Sequence, residues 1–161
     1  MSGRAPGALL ALVQVLLVSG IGLKYAADRA RLPSAWARTV PFDPSLPMRG
    51  RYVRLRLQVP LAGRPPASLS HVRLVASDGR VQAVAESSAA LGATIDTVQG
   101  AMVARLSEPV AFFIPEHIPD PSIRPAGEEL WALVTLPPDG PPRPIRLGVR
   151  RGPEIEALEL R

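Results

Sequence analysis

The sequence predicts a mainly β protein: an N-terminal single transmembrane helix followed by a compact antiparallel β barrel or sandwich domain. Three observations predict it. Residues 8–23 form an uncharged apolar run, ALLALVQVLLVSGIGL. Of the 19 prolines, only Pro6 precedes Pro33, and prolines spaced this densely exclude long helices from the rest of the chain. Between the proline clusters lie short segments in which apolar and polar residues alternate, the period of a strand with one buried face.

The apolar run comes first in the chain. Extended back to Ala5 it is long enough, at about 1.5 Å per residue, to match a hydrocarbon core of about 30 Å. Its competitor is a cleavable signal peptide, with Arg4 as the basic n-region and Val18-Ser19-Gly20 near a cleavage site. The helical pattern favours an uncleaved anchor, because LKYAADRARL continues it to Leu32 and only Pro33 breaks it. Residues 1–32 are therefore assigned to a membrane anchor with a juxtamembrane extension, and residues 33–161 to the β domain. Lys24, Arg29 and Arg31 follow the span while Arg4 alone precedes it, so charge by itself favours a cytoplasmic domain.

Beyond the anchor, Tyr52 to Val59 alternates most clearly. Val53, Leu55, Leu57 and Val59 take one face and Tyr52, Arg54, Arg56 and Gln58 the other. His71–Ala76 and Val81–Ala85 flank Asp78-Gly79 and predict a hairpin. Ala101–Leu106 and Val110–Ile114 predict strands, with Phe112, Phe113 and Ile114 as core. Leu130–Leu136 and Pro144–Val149 predict a pair across residues 137–143, and Ile155–Leu160 an edge. Residues 86–98 are compatible with loop, short helix or strand.

Composition narrows the chemistry. The chain has no cysteine, which excludes disulfides, thiolate metal sites and a cysteine nucleophile. Its net charge of +5 is uneven: residues 1–57 carry nine cations against Asp28 and Asp43, whereas residues 58–161 carry ten cations and twelve anions. A basic band near a bilayer can attract anionic headgroups; the alternative reading is a set of solvated arginines on a half-exposed sheet. Lys24 is the only lysine among 19 cations, a bias typical of GC-rich genomes. Aromatic residues make up 4% of the chain, and no stacking motif or recognition helix is present, so no nucleic-acid partner is expected.

No catalytic set is legible, and neither a cofactor nor a metal is expected. His71 and His117 are the two histidines, with no ligand spacing around them. The sequence contains no P-loop, no G-x-S-x-G and no dinucleotide fingerprint. Pro44-Ser45-Leu46 with Gly50-Arg51-Tyr52-Val53 is similar to a segment of type I signal peptidases, which makes a degenerate hydrolase one alternative. Pro41 occupies the position of their serine, and Lys24 lies at the end of the apolar helix, where it cannot serve as a base within about 3 Å.

Two segments carry a wider resemblance. FDPSLPMRGRYVRLRL spans residues 42–57, and Phe112-Phe113-Ile114-Pro115-Glu116-His117 follows a later strand. Their order resembles the bacterial GDYXXLXY family, with matches at Asp43, Pro44, Gly50, Tyr52, Leu55, Phe113, Pro115 and Glu116. Arg51 stands where that family has aspartate, and Leu57 where it has its last tyrosine. The resemblance implies a short membrane helix, an exported domain and an accessory role beside a multi-pass inner-membrane protein. The expected interaction surface is Arg49, Gly50, Arg51, Tyr52, Arg54 and Arg56 together with Phe113, Pro115, Glu116 and His117. A second alternative is a module that binds an anionic ligand or lipid headgroup.

Overall fold

A computed structural model describes residues 4–42, 52–63, 70–138 and 140–160. It divides into two units, residues 1–32 and 33–161. The first is helix α1, Arg4–Arg31. Its leucines and valines are exposed along its length, as expected of a helix with no protein core to bury it. By length and composition it can cross a membrane, and about 42 Å of helix from its 28 residues exceeds the hydrocarbon thickness.

The second unit holds, among the described residues, ten strands: β1 Ser34–Pro41, β2 Tyr52–Ala62, β3 His71–Ser77, β4 Arg80–Ala85, β5 Leu91–Val98, β6 Ala101–Leu106, β7 Val110–Phe113, β8 Glu129–Thr135, β9 Arg143–Arg151 and β10 Glu154–Ala157. Six of them close a barrel in the order β1-β4-β3-β5-β6-β2, with β2 returning to β1. Strands β8, β9 and β10 extend the sheet outward from β1, and β7 pairs with the free part of β2.

Two hairpins are set by turn chemistry. Asp78 and Gly79 between β3 and β4 both have positive φ, as do Gln99 and Gly100 between β5 and β6. That pair of angles defines the type I′ turn, whose twist matches the flanking strands. The first turn also helps close the barrel: the Gly79 carbonyl accepts the Trp36 N–H at 2.9 Å, beside the parallel contact of β1 with β4.

The alternation of β2 is realised as predicted. Val53, Leu55, Leu57 and Val59 are buried, and each fully buried aliphatic side chain contributes about 1.5–3 kcal/mol. They meet Val72, Val81, Ala83, Ala93, Ala104 and Leu106 from the other barrel strands, and Val110 from β7. The strand runs on through Pro60 to Ala62. Pro60 is tolerated there as an exposed residue at the last register position with β6.

Four departures from expectation are informative. β1 lies in a stretch whose sequence predicts no strand. Its inward residues, Ala35, Ala37 and Thr39, are small, and Thr39 satisfies its buried hydroxyl by donating to the Leu130 carbonyl at 2.8 Å. Residues 91–98 resolve as strand β5, packed antiparallel on β6 through six consecutive positions. Phe113 is not core: it is 60% exposed, whereas Ile114 is buried and Phe112 packs against the core. Outward orientation at Phe113 follows from its register opposite Tyr52, which is itself on the outer face. Finally, β10 ends at Ala157, and the chain continues with Leu158 and Leu160 turned onto the core.

Candidate interaction surface

Of the residues expected to form the surface, Arg49, Gly50 and Arg51 lie outside the described residues, as do Asp43 and Pro44 of the family-like stretch. The others fall into two neighbouring groups on the outer face of β2.

The first group is aromatic. The register of β2 with β7 sets Tyr52 opposite Phe113. Their rings meet edge to face, with centroids 5.5 Å apart and an interplanar angle of 71°. This is a favoured arrangement for two quadrupoles. The pair remains open to solvent, with Tyr52 49% and Phe113 60% exposed. A turn follows immediately, held by the Ile118 N–H to the Pro115 carbonyl at 3.2 Å, and it carries the exposed Glu116 and His117. The order of β7, Pro115 and this turn therefore brings Tyr52, Phe113, Pro115, Glu116 and His117 to one end of the sheet.

The second group is cationic. The guanidinium carbons of Arg54 and Arg56 lie 5.2 Å and 4.3 Å from the centroid of the Phe42 ring. Phe42 is positioned by the end of β1, where its N–H donates to the Arg54 carbonyl at 3.2 Å. Stacking on a ring face holds a guanidinium without consuming its charge. Among the described residues, no carboxylate is paired with Arg54 or Arg56.

A third cluster went unread in the sequence. On the outer face of β1, β8 and β9, Glu129 forms ion pairs with Arg38 at 2.9 Å and Arg150 at 3.5 Å and accepts from the Trp131 indole N–H at 3.2 Å. Arg80 and Arg150 each lie 5.6 Å from the centre of the Trp131 ring. Trp131 is only 6% exposed. Trp36 lies beside it over Gly148, where a Cβ would come within 2.8 Å of its ring. This arrangement is a clasp rather than a surface for a partner: Glu129 answers Arg38 and Arg150, and Trp131 is covered, while Arg80 is held on the ring alone. The alternation of Glu129 with Trp131, and of Arg146 and Arg150 with Gly148, was visible in the sequence. That the two alternating runs share one face required the register of β8 with β9.

Ion pairs neutralise most of the remaining described arginines. Arg73 bonds Glu86 at 2.7 Å, Arg105 lies 3.2 Å from Asp96, and Arg151 bonds both Glu128 and Glu156. The Arg151 hydrogen bond holds the Glu128 carboxyl below its usual value against the opposing effect of burial. Arg73 does the same for Glu86, assisted by the Ser88 hydroxyl.

His71 and His117 are both exposed, and no group of three metal-ligating side chains occurs among the described residues. A depression of about 40 Å³ between Leu91, Leu106, Pro109, Val110 and Pro142 is mainly apolar and gathers no cluster of polar side chains. The geometry thus supplies a paired aromatic surface, a ring-supported cation pair and an internal clasp. No family model, curated protein or solved structure matches this chain.

Proposed function

We propose that the chain is a non-catalytic accessory protein of the bacterial cell envelope. Its N-terminal helix stays in the inner membrane, and its β domain, on the periplasmic side, engages a multi-pass membrane protein. The Tyr52–Phe113 pair carries this reading. Two large aromatic side chains, brought together across a strand pair and left open, form the kind of anchor that dominates protein interfaces. The turn at Pro115–His117 extends that surface with polar groups. The helix supports the membrane setting, and the resemblance to the GDYXXLXY family supports an accessory role on the exported side.

Cross-linking in the native membrane tests it. A photo-reactive residue in place of Phe113 is expected to capture a multi-pass membrane protein, and Tyr52→Ala is expected to weaken that capture. Repeated recovery of the chain alone from mild detergent would sink the accessory role. A C-terminal reporter active only in the cytoplasm would overturn the orientation, and a mature polypeptide lacking residues 1–32 would overturn the anchor.

A further inference from the structure

The Arg54–Phe42–Arg56 stack is distinct in chemistry from the aromatic pair beside it. We infer that it is a docking surface for the anionic phospholipid headgroups of the bilayer in which the chain's own helix is set. This rests on the anchor part of the function proposed above, but not on a protein partner.

Three observations carry it. The first is charge. Arg38, Arg73, Arg105, Arg124, Arg150 and Arg151 all have carboxylate partners within the domain. Arg54 and Arg56 instead share one aromatic ring, and no described carboxylate answers them; Arg80 and Arg146 also lack a described carboxylate, but neither shares a ring with a second such arginine. The second is geometry. Arg54 and Arg56 alternate on the outer face of β2, half-exposed, and are fixed from one side by Phe42; the Arg56 Nε is buried, so it is the terminal guanidinium nitrogens that remain for a phosphate. A guanidinium fork matches a phosphate group in two parallel hydrogen bonds. The third is reach. Only Leu32 and Pro33 separate the end of α1 from the start of β1, and two residues span at most about 7 Å. The patch lies beside Val40 and Phe42 at the other end of β1, about 25 Å along the strand at about 3.3 Å per residue, a distance over which a tethered domain still experiences headgroups at high local concentration. Arginines at an anionic surface favour the docked state by about fivefold each, or about 30-fold for the two.

The chain contains no cysteine, so a single reporter can be placed without background. Ala111 is exposed and lies directly across from Arg54 on β7. Full-length Ala111→Cys, carrying an environment-sensitive fluorophore, would be reconstituted into nanodiscs of zwitterionic lipid or of zwitterionic lipid mixed with anionic lipid. A quencher attached to the headgroups reads contact with the lipid surface.

Docking predicts strong quenching in anionic discs and weak quenching in zwitterionic ones. Arg54→Gln with Arg56→Gln should shift the docked-to-undocked ratio about 30-fold toward undocked, with circular dichroism and thermal midpoint like those of the parent. Salt at about 1 M, where screening acts within about 3 Å, should abolish the difference for the unmodified arginines. That arm needs no variant and stands if the double variant misfolds. Equal quenching in both lipids, or quenching insensitive to salt, would overturn the inference. So would a response reproduced by inorganic phosphate in zwitterionic discs, or protection of Ala111 that requires a co-purified protein and ignores lipid charge. Loss of the chain from the discs would remove the anchor and this inference together. Lipid-dependent quenching without any captured protein would leave this inference standing and the accessory role fallen.

Discussion

Two outer faces of the same sheet use the same residue types to opposite ends. On β1, β8 and β9, Trp131 carries Arg150 and, from β4, Arg80 against its ring, and Glu129 neutralises two cations while also accepting from the indole. On the face of β2, arginines stack on Phe42 without an answering carboxylate among the described residues, and the Tyr52–Phe113 pair is left open. The difference between a clasp and a contact surface here is one acidic residue and a few tens of per cent of exposure. Satisfying a cation internally contributes to the fold. Leaving it on a ring, oriented but charged, reserves it for something outside.

Substitutions can break this contrast. The largest effect is expected at Trp131, where Trp131→Ala should destabilise by about 3–5 kcal/mol, read as a shift of the urea midpoint. Gly148→Ala follows, since its new Cβ would meet both the Trp36 ring at 2.8 Å and the Glu156 carbonyl at 2.9 Å. Overpacking of that kind costs about 1–3 kcal/mol, and equal stability would show that Trp36 has another seat. Glu129→Gln should cost about 1 kcal/mol, because its pairs with Arg38 and Arg150 are partly solvated. Arg54→Gln and Arg56→Gln should change stability by no more than about 0.5 kcal/mol each. A larger loss there would make the second face a clasp as well.

The smallest effect is in acid. Glu86 and Glu128 have carboxyl pKa values lowered from 4.5 by their arginine partners. A depressed folded-state value contributes stability above the unfolded value and loses it as pH falls through the folded one. Unfolding midpoints should therefore fall as pH drops below about 4.5. Glu86→Gln together with Glu128→Gln should flatten that fall, whereas an unchanged slope would mean that other carboxylates set it.

Much of the barrel was legible wherever the local pattern and the turn chemistry agreed. β2 alternates over its whole first half, and Asp78-Gly79 is a turn that a two-residue hairpin requires. β1 was not legible because its buried positions are Ala35, Ala37 and Thr39, too small and too polar to register as an apolar face. β5 was ambiguous because its one fully buried side chain is Ala93, while Leu91 and Ile95 are only partly covered. The sequence also left barrel and sandwich equivalent, since the closure lies in pairings between strands distant in the chain. The same limit applied to the candidate surface. Tyr52, Arg54 and Arg56 were visible on one strand, but the outward turn of Phe113 depended on register with β2. Phe42 entered only through the path of β1, and Trp131 only through the meeting of three strands.

The placement of β1 has a consequence for how the domain is made. Its residues pair with β8, so that Trp36 meets Leu133 and Ser34 meets Thr135, and the Leu136 N–H is bonded to the Pro33 carbonyl at 2.9 Å. The strand synthesised first must therefore wait for one of the last before both its borders are filled. A ribosome-stalled or prematurely terminated product ending before residue 129 would carry β1 with one border vacant, next to a greasy helix. Such a fragment is an adhesive object, and quality-control proteases and holdase chaperones would be its natural fate.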